Sequence, residues 1–154
     1  MKKIYAVIDT NVIISALITK NANSATLKVL DAFYKGCFQA VAHEDIIAEY
    51  NDVLSRGKFS IPDSLRTQII NTFKQNAIFL QGVSSDDVVS DPKDVIFYEV
   101  TLEAQSRFKN SYLVTGNAKD FPVRTFVISP ADFLDLIQND TPLVLNEALA
   151  SYCA

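Results

Sequence analysis

The chain has 154 residues, of which 49% are hydrophobic and 21% charged, so it fits one domain with one core and intrinsic disorder is not expected. Its net charge of −4 argues against a protein held to nucleic acid by broad positive charge, although clustered catalytic carboxylates would themselves lower the charge. No apolar run approaches the roughly 18 residues of a membrane span and no secretory leader is recognisable, so we expect a cytoplasmic protein without membrane contact.

The hydrophobic pattern predicts strands and helices that alternate along the chain. Short apolar runs are typical of buried strands, and the segments between them repeat apolar residues at helical spacing. The predicted strands span residues 4–8, 37–42, 77–80, 111–115 and 125–129. The predicted helices begin near residue 11 and then cover about 24–35, 44–55, 62–76, 92–107 and 130–137, with a polar loop over 83–93.

This alternation favours an α/β fold with a mostly parallel central sheet of about five strands and helices on both faces. We expect one domain over residues 1–138 and a C-terminal extension of uncertain structure over 139–154. In such sheets, ligands bind beyond the carboxyl ends of the strands. Asp9 directly follows the first strand and Thr115 ends the fourth, so both are expected at this edge.

Three acidic residues could converge at this edge, but each also has a purely structural interpretation. Asp9 could cap the helix that follows it. Glu49, within IIAEYNDVL, could be a surface residue beside the apolar stripe of its helix. Asp94 could lie in the first turn of a helix capped by Asp91, where an acid stabilises the helix electrostatically. No single residue therefore decides between catalysis and structure.

Carboxylates that converge repel one another unless a cation binds or their pKa values rise, and oxygen-only ligands select hard ions such as Mg²⁺ or Mn²⁺. Asn117 and Asp120 follow the fourth strand and are either turn residues or further ligands. The sequence contains no P-loop, GxGxxG or GxSxG motif, and we predict a structural role for the single histidine, His43. Metal-assisted phosphodiester hydrolysis is therefore the chemistry that these residue types favour.

Five segments, in order, resemble the PIN-domain family, and in particular the bacterial branch described as toxin components of toxin–antitoxin pairs. They are VIDTNVIISAL (7–17), IIAEYNDVLSR (46–56), DPKDVIFYEVTLEA (91–104), YLVTGNAKDFP (112–122) and VISPADFL (127–134). The resemblance covers roughly residues 3–137. It implies a parallel sheet between helices and cleavage of single-stranded RNA with magnesium or manganese.

The resemblance also implies roles for individual residues. It places the three acids of the family at Asp9, Glu49 and Asp94, which would be catalytic and bind the metal. It places supporting polar residues at Asn11 and Thr115.

One position departs from the family pattern. Many members carry a fourth acid directly after a Thr-Gly pair, where this chain has Asn117, which can ligate a hard cation but brings no charge. Asp120 could partly substitute as a ligand, and a second metal ion becomes less expected. Basic residues beside the motifs are either contacts to RNA phosphates or solvated surface charges. They are Arg56, Lys58, Lys93 and Lys119.

The leading hypothesis is a metal-dependent endoribonuclease, with RNA as substrate and with a small antitoxin protein and a second copy of the chain as candidate partners. The alternative is a catalytically weak or inactive RNA-binding or scaffold module. A third class is a small-molecule phosphohydrolase, but Asp9 is followed by Thr10 and Asn11 rather than by the usual DxD nucleophile pattern.

Overall fold

The computed structural model describes residues 3–139, and the predicted C-terminal extension lies outside these residues from position 140 onward. Five strands form one sheet in the order β3-β2-β1-β4-β5, and every pairing is parallel. The strands are β1 (Tyr5–Ile8), β2 (Gln39–Ala42), β3 (Ile78–Phe79), β4 (Ser111–Val114) and β5 (Val127–Ile128). The predicted parallel α/β fold is confirmed.

Six helices flank the sheet in the described part of the chain. They are α1 (Thr10–Ile18), α2 (Ala25–Tyr34), α3 (Glu44–Leu54), α4 (Asp63–Asn76), α5 (Val95–Arg107) and α6 (Pro130–Asn139). Because strand order moves from β1 to β3 and then returns to β4, right-handed crossovers place α1–α4 on one face and α5 on the other. Consistent with this arrangement, α5 contacts β1, β2 and β4, and α6 contacts α2.

The central pairing of β1 with β4 sets the geometry of the carboxyl edge. The two strands stay in register up to Ile8 opposite Val114, and the Asp9 amide donates to the Val114 carbonyl at 2.9 Å. Thr115, which follows β4, accordingly lies beside Asp9. The shared register of two parallel strands brings together residues that are about a hundred positions apart in sequence.

Aromatic side chains fill the core between the sheet and α2, α4 and α6. Phe33 stacks on Phe73 with ring centroids 4.1 Å apart, and Phe38 meets Phe133 edge-on at 4.9 Å. Tyr50 of α3 packs on Phe73 at 5.1 Å. These contacts join α2, α3, α4 and α6 to one core, so α3, which carries Glu49, is held by buried apolar area.

The ends of several elements follow their predicted chemistry. Gly36 adopts φ +74° after α2, a left-handed conformation that suits glycine. His43 caps α3, because its Nδ1 accepts a hydrogen bond from the Asp45 amide at 2.9 Å, so its predicted structural role is confirmed. The helix predicted over 44–55 ends at Leu54, and Gly57 begins a separate 3₁₀ turn (Gly57–Phe59).

The outer strands are shorter than predicted. The apolar runs 77–80 and 125–129 form strands of only two residues each, Ile78–Phe79 and Val127–Ile128. Each lies at an edge of the sheet and pairs on one side only. Within the described residues, none of the helices combines the length and apolar character needed to cross a bilayer.

The aromatic core should dominate stability. We expect Phe73→Ala to lower the free energy of unfolding by about 3–5 kcal/mol in urea denaturation, because the side chain is 1% exposed and its loss leaves a cavity. Phe79→Ala is the matched control, since Phe79 is 42% exposed, and it should cost well under half as much. Equal costs for the two variants would contradict this placement of the core.

Candidate functional site

Asp9 is a buried carboxylate at the carboxyl end of β1, with 5% of its surface exposed. The Thr115 hydroxyl donates to Asp9 Oδ2 at 2.8 Å, and the Asn11 side-chain amide donates to the same oxygen at 3.1 Å. Asp9 precedes α1, but its side chain makes no hydrogen bond that caps the helix. Helix capping therefore does not account for an acid at this position.

Asn11 joins the ends of β1 and β4 through both ends of its amide. Its Oδ1 accepts from the Gly116 amide at 3.1 Å, while its Nδ2 donates to Asp9. The Thr115 hydroxyl in turn accepts from the Asn117 amide at 3.0 Å. Both side chains thus hold Asp9 in one orientation.

Glu49 is half-buried on α3 and meets α1 across the edge of the sheet. The Thr10 hydroxyl donates a hydrogen bond to Glu49 Oε2. The next residue, Tyr50, is 1% exposed, and its hydroxyl donates to the Ile8 carbonyl at the end of β1. These two bonds anchor α3 beside Asp9, so Glu49 is not an isolated surface residue.

Thr10 is a residue that sequence reasoning did not single out. Its partner, Glu49, is 39 positions away, so no local pattern links the two residues. The available signal was its place directly after Asp9, at the start of the helix that leaves the strand.

Asp94 lies in a 3₁₀ turn (Pro92–Asp94) that leads into α5. The turn is capped by Asp91, whose side chain accepts from the Lys93 amide at 2.9 Å. Asp94 itself precedes α5 and its side chain makes no capping hydrogen bond. The cap is therefore Asp91, as predicted, and Asp94 lies in the first turn behind it with a half-buried carboxylate.

The charges of neighbouring acids contribute to raised pKa values of Asp9 and Asp94, which indicates that these charges lie close together. Burial raises the pKa of Asp94 to about 6, with further increases from the charges of Asp9, Asp91, Glu49 and Asp120. Burial likewise raises the pKa of Asp9, and the charges of Glu49 and Asp120 add to the increase. The hydrogen bond from the Thr115 hydroxyl lowers this pKa. The strands and helices thus bring the three predicted acids into one electrostatic cluster, with Asp120 as a fourth member.

The donor chemistry of this cluster fits a hard divalent cation, because the side chains offer only oxygen and a cation would relieve their repulsion. Across residues 3–139, however, no three carboxylate, histidine or cysteine side chains are arranged around a common point to hold an ion. A cation that keeps most of its water and uses one or two carboxylates, as Mg²⁺ does, is compatible with this spacing.

The two candidates for a fourth ligand differ in environment. Asn117 is exposed, and its backbone amide is used by the Thr115 hydroxyl. Asp120 is half-buried, its charge acts on Asp9 and Asp94, and its carbonyl accepts from the Ser90 amide at 3.1 Å. Asp120 therefore acts on the acidic cluster through its charge, whereas the Asn117 side chain carries none.

The four basic residues weighed from the sequence are all exposed but lie in different settings. Lys93 and Lys119 belong to the two 3₁₀ turns, Pro92–Asp94 and Ala118–Asp120, that carry acids of the cluster. Arg56 is ion-paired with Asp52 at 3.1 Å, and Lys58 lies 5.1 Å from the centre of an aromatic ring in its own turn. Lys93 and Lys119 are thus better placed than Arg56 and Lys58 to contact an anionic ligand.

Comparison with known proteins gives one family. The sequence model of the family described as PIN domain matches residues 5–119, well over half of the chain and a span that contains Asp9, Glu49 and Asp94 and ends one residue before Asp120. Neither the curated proteins nor the solved structures give a significant match.

The raised pKa of Asp94 predicts how stability depends on pH without metal. Between about pH 4 and 6 the folded state holds a proton that the unfolded chain has lost, so stability falls as pH rises through this window. Asp94→Asn removes this loss of stability, because the asparagine side chain does not titrate. In urea denaturation with EDTA, we expect the variant to exceed wild type by about 1 kcal/mol at about pH 7.5, after allowance for solvent screening, and to match it near pH 4.

Asp135→Asn, at an exposed position of α6, is the matched control and should keep the wild-type pH dependence. Identical pH profiles for Asp94→Asn and wild type would contradict the electrostatic cluster.

Proposed function

The chain belongs to the PIN-domain family, whose members are generally nucleases, and we propose that it is a Mg²⁺- or Mn²⁺-dependent endoribonuclease that hydrolyses single-stranded RNA. In this proposal Asp9, Glu49 and Asp94 are the catalytic and metal-binding residues. The family match covers all three positions.

The observation that carries the proposal is the environment of Asp9. Its carboxylate is buried and held by two donors, and it lies close enough to Glu49 and Asp120 for their charges to raise its pKa. Burial of an acid among other acids costs folding free energy, and within residues 3–139 no helix cap or ion pair of Asp9 offsets this cost. Such destabilising arrangements are concentrated at functional sites.

The acids and the residues that orient them would have different tasks. Asp9, Glu49 and Asp94 would hold the cation, which when bound activates water and offsets charge on the phosphate. Asn11 and Thr115 fix the orientation of Asp9 through its Oδ2. A site whose acids are oriented before the substrate arrives has less reorganisation to complete during the reaction.

Surrounding residues support the same assignment. Thr10 fixes Glu49 through a hydrogen bond to Oε2. Lys93 and Lys119, on the two exposed turns, are suited to phosphate contacts that position the RNA. Asp120 is better placed than Asn117 to supplement the three acids, and with Asn117 uncharged we propose one metal ion rather than two.

A finer proposal concerns the biological role. The resemblance of the motifs to bacterial toxin components supports an assignment as the toxin of a toxin–antitoxin pair, with a small antitoxin protein as partner. A homodimer is part of the same proposal.

A second candidate is an RNA-binding or scaffold module without catalysis. It is favoured by Asn117, which stands where many family members carry an acid, and by the absence of a preformed three-ligand group in residues 3–139. The two candidates differ in whether RNA is cleaved when metal is present.

Metal binding can be tested apart from catalysis. We expect millimolar Mn²⁺ to raise the thermal midpoint of wild type, because a ligand that binds only the folded state stabilises that state. At a free Mn²⁺ concentration of a hundred times the dissociation constant, the free energy of unfolding rises by about 2.7 kcal/mol. Asp94→Asn should lose most of this response, whereas Asp135→Asn should keep it. An unchanged response in Asp94→Asn would remove Asp94 from the site.

Catalysis is tested by cleavage of labelled single-stranded RNA with Mg²⁺ or Mn²⁺. We expect Asp9→Asn to lower the rate by at least about 100-fold, a loss typical of a catalytic group, while the variant still unfolds cooperatively. Asp135→Asn should cleave at the wild-type rate. Full activity in Asp9→Asn would reject the active-site assignment, and binding without cleavage by wild type would favour the scaffold module.

A further inference from the structure

Asp87 lies where three segments of the chain meet. It belongs to the polar loop between β3 and the Pro92–Asp94 turn. The Tyr98 hydroxyl of α5 donates to Asp87 Oδ2 at 2.6 Å, and Arg124, in the connection from β4 to β5, donates to Oδ1 at 3.0 Å. We call Asp87, Tyr98 and Arg124 the Asp87 clamp.

The clamp holds the two segments that carry acids of the site. Tyr98 lies one helical turn after Asp94, and Arg124 follows Asp120 by four residues. The loop also contacts the second segment directly, because the Ser90 amide donates to the Asp120 carbonyl at 3.1 Å. Asp87 therefore connects the Asp94 segment to the Asp120 segment.

We propose that Asp87 is a positioning residue that holds the Asp94 and Asp120 segments together and thereby sets the spacing of these two acids. The inference rests on the proposed function for its catalytic meaning. Asp87 itself does not belong to the acidic cluster, since its carboxylate is used by Tyr98 and Arg124.

Repulsion between the acids makes such a clamp necessary. The charge of Asp120 contributes to the raised pKa of Asp94, so the segments that carry these acids are pushed apart. Apolar burial opposes this only in part at the loop, where Val88 is 84% exposed while Val89 packs against the core. The polar contacts of Asp87 therefore add to the Ser90 hydrogen bond in linking the loop to the two segments.

The clamp differs from an ordinary surface ion pair, which contributes little. One of its donors is Tyr98, a buried side chain that is 1% exposed and fixed within α5. The Tyr98 hydrogen bond and the charge of Arg124 lower the pKa of Asp87, so the carboxylate stays ionised at neutral pH. Charge-assisted hydrogen bonds to both carboxylate oxygens also fix its orientation.

Glu103 provides a matched control. It too is a carboxylate that joins a loop to α5, because it accepts from the amides of Gln81 and Gly82 and pairs with Arg107 at 2.6 Å. None of these contacts involves the acids of the site. Glu103→Ala therefore removes a comparable set of bonds without loosening the Asp94 and Asp120 segments.

The experiment compares Asp87→Ala with Glu103→Ala by amide hydrogen exchange in full-length protein, without metal. We expect the Ser90 amide to exchange at least about tenfold faster in Asp87→Ala, because the loop opens locally, and to be unchanged in Glu103→Ala. Arg124→Gln, which removes one arm of the clamp, should give a smaller change in the same direction. An unchanged Ser90 amide in Asp87→Ala, or an equal change in Glu103→Ala, would overturn the proposal.

A second readout separates positioning from local structure. In Asp87→Ala we expect the Mn²⁺ concentration for half-maximal thermal stabilisation to rise by about 10–100-fold, as for groups that orient metal ligands. Glu103→Ala should keep the wild-type value. Faster Ser90 exchange with an unchanged Mn²⁺ response would limit Asp87 to loop structure and reject its positioning role. If wild type shows no Mn²⁺ response, the proposed function fails, and the Ser90 exchange still decides the clamp.

Discussion

Repulsion among carboxylates at the carboxyl edge of the sheet is the interaction on which the rest of the arrangement depends. Burial and neighbouring charge raise the pKa values of Asp9 and Asp94, so the fold must supply stabilisation elsewhere to keep these groups close. The parallel pairing of β1 with β4 and the aromatic core behind it supply that stabilisation. Hydrogen bonds from Thr115, Asn11 and Thr10 then orient the acids without neutralising them.

The sequence was most informative about the residues that directly follow the strands. Apolar runs located β1 and β4, and the alternation of strands and helices predicted their parallel pairing, so the proximity of Asp9 and Thr115 could be anticipated. The bond from Thr10 to Glu49 could not, because it depends on how α1 and α3 pack rather than on any local period. Local patterns indicated Asp91 as the cap, but they left open whether Asp94 has only the structural role of an acid in the first helical turn.

The edge strands and the acidic cluster show a second limit of sequence reasoning. Periodicity marks an apolar run but not how many neighbours it will pair with, so the strands predicted over 77–80 and 125–129 were too long. Resemblance similarly names which acids belong together but not their side-chain spacing. In the described residues these acids form an electrostatic cluster without a closed ligand cage, an outcome that depends on distances no motif encodes.

The hydrogen bonds to Asp9 also divide its two oxygens. Both side-chain donors, the Thr115 hydroxyl and the Asn11 amide, point to Oδ2. With two donors on one oxygen, a proton that Asp9 takes up belongs on Oδ1, which is the more basic site. A cation that reaches this carboxylate therefore competes with that proton for Oδ1, and it would be bound through one oxygen rather than through both. Asp9 therefore offers one free oxygen to a ligand, because the hydrogen bonds from Thr115 and Asn11 already occupy the other.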